Sequence, residues 1–247
     1  MHNQREKFWK KRAQHYKQLE WATKSGYLHA FLDAGLFKNK DTVIDIGTGT
    51  GIIAHTICPH VSKVIGIDIS SDMLAQAENN KVANEEFLLM DAKDLKYKTG
   101  AFSKVTARMV FHHILKDTKE AMKECRRVLK KGGLMVFSEG VPPTEHVKDF
   151  YINMFKLKEE RLTFMENDMA SLMKKGGFKK IHKHIHWNRR SSIKNWLDNS
   201  GLPQHTKDKI YAMHINLDDE GKKDYNMVIT DKDCLIDMKF VILTGEK

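Results

Sequence analysis

The stretch "VIDIGTGTGIIAHTI", Val43 to Ile57, constrains this chain more than any other. A β-branched apolar run passes through an acid, breaks into glycines at alternate positions and resumes as an apolar helix. Glycine at such a bend lets the backbone turn and leaves space for a ligand against the main chain, and the N–H groups opening the next helix can meet an anionic part of it. Gly47, Gly49 and Gly51 alternate, whereas the dinucleotide fingerprint sets its third glycine one position later, where this chain has Ile52. A nicotinamide dinucleotide is therefore disfavoured. Asp68 in "VIGIDIS" follows the turn by about twenty residues, where a carboxylate can accept hydrogen bonds from ribose hydroxyls. Asp91 in "FLLMDAKDL" ends the next strand, so two acids and a glycine turn converge on one edge of a sheet.

The apolar period switches repeatedly between two and about 3.6, as in alternating strands and helices. Strands are predicted at "TVIDIG", "KVIGIDI", "EFLLMDA", "SKVTARMVF" and "GLMVFSEG", with intervening segments that can return as helices in parallel crossovers. "SSDMLAQAENN" opens on capping residues, and "DTKEAMKECRRVLKKGG" starts on an acid and stops on bases and glycines, so both read as helices. Further helices are expected in "PPTEHVKDFYINMFKLKEERLTF" and "MENDMASLMKKGGF", then a strand "KKIHKHIHW" and a last strand "CLIDMKFVILTG". The reading is one domain over residues 1–247, with N-terminal helices over 1–37 and a helical cap insertion over 188–233. Within that insertion "SIKNWLDNSGLP" sets Ile193, Trp196 and Leu197 on one helical face, suited to a lid over the cleft or to a homodimer contact.

The net charge of +10 comes from lysines scattered over most helices rather than one stripe, so a nucleic-acid partner is unlikely. Cys58, Cys125 and Cys234 stand far apart, which encodes neither a disulfide framework nor a zinc knuckle. The N-terminus is basic and amphipathic without the apolar run of a secretory signal, and no stretch of about 18 apolar residues is available to span a bilayer. The expectation is a soluble cytoplasmic protein with reduced thiols.

Asp45, the three glycines, Asp68 and Asp91, taken in this order, resemble the first motifs of the class I S-adenosylmethionine-dependent methyltransferases. The branch is similar to the ubiquinone/menaquinone C-methyltransferases, and the resemblance covers about residues 8 to 187 and the final strand. It implies an α/β fold, a Rossmann-like doubly wound sheet of seven strands, mostly parallel with the last antiparallel. It also implies that Asp45 helps hold the methionyl ammonium, that Gly47, Gly49 and Gly51 face the methionyl part, and that Asp68 binds the ribose. Ile69 and Met73 would flank the adenine, and Asp91 with Ala92 would contact its amino edge. Thr48 in the turn and Arg108 in the fourth strand complete the expected cofactor set. An aromatic residue in the N-terminal helix, here Tyr16, commonly covers the methionyl end in this family, although the acid that usually follows it is Lys17 in this chain.

Methyl transfer of this kind is a direct displacement, so the protein must mainly align donor and acceptor and exclude water. Where the acceptor is a hydroxyl, or a carbon activated by one, a base helps. His112 and His113, just beyond the fourth strand, and Glu139, ending the fifth, are the candidates, with positioning alone as the alternative. The proline pair "VPPT" follows the fifth strand, whereas exocyclic-amine nucleic-acid methyltransferases carry theirs after the fourth, and no cysteine has the setting of a C5 pyrimidine enzyme. The expected acceptor is a small molecule with an oxygen, nitrogen or carbon nucleophile, and the product cofactor is S-adenosylhomocysteine. RNA or protein methylation and a non-catalytic binding module are the alternatives. His182, His184 and His186 share one face of a strand, but side chains along a single strand splay, so no metal is expected.

Overall fold

The computed structural model describes Ala13 and residues 16–247, the side chain of Lys17 excepted. Its strands in chain order are β1 (Thr42–Ile46), β2 (Lys63–Asp68), β3 (Glu85–Leu89), β4 (Phe102–Arg108), β5 (Leu129–Val141), β6 (Lys179–Ser192), β7 (Val228–Ile229) and β8 (Cys234–Glu246). The helices are α1 (Glu20–Thr23), α2 (Ser25–Gly35), α3 (Ile52–Ile57), α4 (Ser71–Glu78), α5 (Thr118–Val128), α6 (Lys148–Lys158), α7 (Glu166–Lys175), α8 (Ile193–Asp198), α9 (Gln204–Ile215) and α10 (Asp219–Asp224). Of the N-terminal helices expected over 1–37, residues 1–12 and 14–15 lie outside the described residues.

Strand order is β3-β2-β1-β4-β5-β8-β6, with parallel pairing from β3 through β5. β8 runs antiparallel to β5 and to β6, as the doubly wound seven-stranded reading requires, and the two-residue β7 adds a short pairing to β8. The order reverses at β1, which has β2 on one side and β4 on the other. Chains entering from opposite directions leave a crevice beyond the carboxyl ends of these strands.

Alternation along each strand sorts apolar side chains into two layers. Val43, Val64, Val136, Phe240 and Ile242 pack with Tyr27 and Phe31 of α2 and Ile53 and Ile57 of α3. The residues between them, Ile44, Ile65, Phe137, Val241 and Leu243, pack with Met122 and Cys125 of α5 and Met169 and Met173 of α7. Both faces are buried, which is why these strands read as nearly continuous apolar runs. Cys58, Cys125 and Cys234 are buried and unpaired. Among the described residues no helix is long and apolar enough to cross a membrane.

Two boundaries differ from the sequence reading. The helix expected over residues 142–164 is only α6, because Glu159 turns extended, at φ −164° and ψ 150°. The expected insertion from 188 begins later, since β6 continues to Ser192 through an irregularity between Asn188 and Ser191. There Asn188 Nδ2 donates to the Trp21 carbonyl at 3.1 Å and Arg190 adopts φ 52°. The remainder of the insertion is α8 to α10 and β7, in which Ile193, Trp196 and Leu197 are buried. α10 is tied back by Thr144 Oγ1, which donates to Asp224 Oδ2 at 2.5 Å.

Phe137 is fully buried, with its ring 4.9 Å from that of Phe111. Phe137→Ala is expected to lower unfolding stability by about 3–5 kcal/mol in urea titration. Leu89→Ala, at a side chain that is 65% exposed, is expected to change it by no more than about 0.5 kcal/mol.

Candidate functional site

The turn after β1 is built without side chains where it faces the crevice. Gly47, Gly49 and Gly51 take φ values of 62°, 55° and 81°. A Cβ at Gly47 would lie 2.2 Å from Val110 Cγ2, whereas one at Gly49 would meet nothing within 4 Å. Thr48 N donates to the Ile67 carbonyl at 2.9 Å, lashing the turn to β2. Asp68, at the end of β2, completes the junction. Its Oδ2 accepts from Gly49 N and its Oδ1 from Ser70 N, both at 2.9 Å. Burial nonetheless raises the Asp68 pKa, against the lowering effect of these N–H groups.

A cavity of about 940 Å³ opens at the carboxyl ends of the strands. Tyr16, Asp45, Gly47, Thr48, Gly49, Asp68, Ile69, Met73, Asp91, Ala92 and Arg108 all line it. Gly51 does not, since it serves as the left-handed cap of α3. Asp45 Oδ1 accepts from Thr106 Oγ1 at 2.6 Å, while Oδ2 is buried and has no hydrogen-bond partner. Burial lifts this carboxyl to a pKa of about 6. Ile69 is unusually exposed for its type, at 60%, and Met73 lies buried nearby on α4. Asp91 Oδ1 accepts from Lys93 N at 2.9 Å. Arg108 is spent partly on architecture: one terminal nitrogen donates to the Ala22 carbonyl at 2.9 Å, and the guanidinium lies 5.1 Å from the Tyr27 ring. Its buried Nε has no partner. Tyr16 stands edge-on to Trp21, with centroids 6.2 Å apart.

His112 and His113 occupy a single 3-10 turn after β4 and line the cavity. Glu139 does not line it. This corrects its reading as a base facing the acceptor: the side chain points from β5 to the back of His112, whose Nδ1 lies 2.5 Å from Glu139 Oε2. The His112 backbone N–H donates to the other oxygen at 3.3 Å. Complete burial raises the Glu139 pKa to about 8, despite the nearby Arg161 charge, which lowers it. At neutral pH the pair therefore holds a proton between carboxyl and imidazole.

Sequence reasoning missed most of the opposite wall, where Tyr151, Phe155, Lys158, Glu159 and Arg161 line the cavity from α6 and the segment after it. Trp196, placed by the sequence reading on a face suited to a lid over the cleft, reaches it from α8. "KLKEERL" falls within the helix expected over residues 142–164; the extended turn at Glu159 instead brings its charges to the cavity, and Leu162 N donates to the His112 carbonyl at 2.8 Å. Charged residues following the aromatic pair Tyr151 and Phe155 were the available signal.

Among the described residues, one group of three places metal-ligating atoms within 4.8 Å of one another: His112, His113 and Glu159. His182, His184 and His186 do not form such a group; His186 instead stacks on Tyr27 with centroids 5.7 Å apart. At the first group a cation would compete for Glu159 with the Lys158 ammonium, 2.7 Å from Oε2, and with Arg161, 3.6 Å from Oε1. That charge balance opposes a resident divalent ion.

Residues 44–137 match the family model described as Methyltransferase domain. The chain is 25% identical to the uncharacterized methyltransferase YcgJ of Bacillus subtilis over 224 residues, covering 83% of this chain and 84% of YcgJ. It is 34% identical to a demethylmenaquinone methyltransferase of Thermotoga maritima over 122 residues, a match spanning 46% of this chain and 52% of that protein. The crystal structure of YcgJ superposes with a TM-score of 0.77 at 20% identity, covering 90% of this chain and 98% of that one. A Bacillus halodurans structure gives the same TM-score at 22% identity, covering 90% and 99%. These likenesses establish the Rossmann-like fold.

Adding a methyl group separates the two demands on the turn. Gly49→Ala is expected to cost only the strain of a left-handed residue, about 1–2 kcal/mol. Gly47→Ala adds the collision with Val110 and should unfold at a clearly lower temperature in calorimetry; equal losses would contradict that close approach.

Proposed function

We propose that this chain is an S-adenosylmethionine-dependent methyltransferase and that it methylates a small aromatic acceptor of the phenol or quinol type, with His112 receiving the proton released. The observation that carries the cofactor part is Asp45 Oδ2, a buried carboxylate oxygen without a hydrogen-bond partner on a residue that lines the cavity with Gly47, Gly49 and Asp68. We assign it to the methionyl ammonium, with Tyr16, Thr48 and Arg108 around the same end. Gly47 and Gly49 offer backbone and open space to the methionyl chain. Each Asp68 oxygen accepts one N–H and keeps acceptor capacity for a ribose hydroxyl. Ile69 and Met73 supply the apolar faces for adenine, and Asp91 with Ala92 its amino edge. When bound, the cofactor supplies a methyl group on a sulfonium.

The acceptor reading is supported by the wall of Trp21, Tyr151, Phe155, Trp196 and Phe240, against which a flat ring can pack. Relatives named demethylmenaquinone methyltransferase and ubiquinone biosynthesis O-methyltransferase support an acceptor of this kind. Glu139 orients His112 through Nδ1, and we take Nε2 as the atom that serves the acceptor. Glu139 is thus a positioning residue. The sign of the pH dependence follows from its pKa of about 8. Below that value the proton between Glu139 and His112 is retained, and Nε2 is a poorer acceptor. Above it the carboxylate holds the Nδ1 proton, and Nε2 is the basic nitrogen.

Isothermal calorimetry should show S-adenosylhomocysteine binding, weakened by about tenfold or more in Asp68→Ala through loss of hydrogen bonds to a charged acceptor; unchanged affinity would remove Asp68 from the site. With a phenolic acceptor, turnover should rise as pH passes through about 8. His112→Ala should lower kcat by about 10²–10⁴-fold at unchanged cofactor affinity. A flat pH profile together with normal kcat in His112→Ala would leave positioning as the whole of catalysis.

A further inference from the structure

Arg161 stands in the cavity wall with its side chain only 4% exposed. Its guanidinium lies over the Phe155 ring at 4.1 Å and near Tyr151 at 5.8 Å. Nε donates to the Leu162 carbonyl at 3.2 Å. Among the described residues its carboxylate neighbour is Glu159, 3.6 Å from a terminal nitrogen and so beyond hydrogen-bond distance. That carboxylate also lies 2.7 Å from the Lys158 ammonium, so Arg161 shares it. The other nearby acid, Glu139, has both oxygens engaged by His112, one by its backbone N–H and one by Nδ1. A guanidinium carries five donors in a planar fork suited to paired oxygens, and holding it in an aromatic wall without a bidentate partner is costly unless a ligand supplies one.

The fork is also held close to the proposed base. Leu162 N binds the His112 carbonyl at 2.8 Å. Glu159, beside Arg161, has a carboxylate oxygen within 4.8 Å of ring nitrogens of His112 and His113. One substituted aromatic ring packed along Phe155 can therefore present a group to Arg161 while its hydroxyl meets His112. We propose that the acceptor carries an anionic substituent, a carboxylate or a phosphate ester, held by the Arg161 guanidinium. This rests on the methyltransferase reading and narrows its substrate class to acidic aromatic compounds. Arg161 is then a specificity residue and takes no part in moving the proton.

The test uses the full chain saturated with S-adenosylhomocysteine and three probes of one shape: benzoate, phenyl phosphate and the neutral benzamide, with affinities measured by ligand-observed NMR titration. Benzoate or phenyl phosphate should bind about tenfold or more tightly than benzamide, as expected for charge-assisted hydrogen bonds, and whichever binds tighter identifies the substituent. Arg161→Gln should erase the preference and Arg161→Lys restore part of it, with S-adenosylhomocysteine affinity retained in both. Equal binding of all three probes to the wild-type protein would overturn the proposal, as would a preference surviving Arg161→Gln. If the glutamine variant does not fold, the wild-type comparison of benzoate with benzamide still decides. Failure of S-adenosylhomocysteine itself to bind would instead strike the underlying cofactor reading.

Discussion

The junction of β1 with α3 is held by a hydrogen bond between Gly49 N and Asp68 Oδ2, and most of the site's geometry follows from it. Strand and helix must meet within a few residues, so the backbone takes positive φ at three glycines. Because the turn carries so little side chain, Asp68 can reach across from β2 and tie it down while also bonding Ser70 N at the start of α4. One carboxylate therefore fixes two crossover connections to each other. The reversal of strand order at β1 keeps the space beyond them open. Asp45, held at 2.6 Å by Thr106 on the adjacent strand, lines that space.

Chemistry in this cavity depends on charges held out of water. Asp45, Asp68 and Glu139 are all buried, and desolvation raises the pKa of each. Such placement costs stability unless a partner offsets it. Thr106 serves Asp45 on one oxygen only, Asp68 has two backbone N–H groups, and Glu139 has His112. The Asp45 Oδ2 oxygen is left without a hydrogen-bond partner, and it shares one cavity with the Arg161 guanidinium. Opposite charges in the wall of one cavity suit the two ligands proposed above, a cofactor with a cationic group and an anionic acceptor.

The local parts of this arrangement were legible in the sequence. The glycine turn, Asp45, Asp68 and Asp91 announce themselves because strand period and turn chemistry act over a few residues, and parallel crossovers follow from intervening segments of suitable length, while the doubly wound sheet was implied by the family resemblance. Glu139 was misread because its role depends on which way a strand-end side chain points, and here it points to His112 across two elements. Lys158 and Arg161 were invisible for the opposite reason: a charge run after a helix ordinarily faces solvent, and only the extended turn at Glu159 reverses that. The insertion boundary slipped because Asn188 binds the Trp21 carbonyl, a partner far away in sequence, and so keeps β6 paired past the expected break.

The central claim is that Asp68 and Asp45 together define an adenosyl-methionine site along this sheet edge. A crystal structure with S-adenosylhomocysteine tests it most directly. The account predicts both ribose hydroxyls within hydrogen-bond distance of Asp68 and the amino group beside Asp45 Oδ2, with the adenine against Ile69. An adenosyl group bound elsewhere, or one that leaves the Asp45 oxygen unmet, would contradict it.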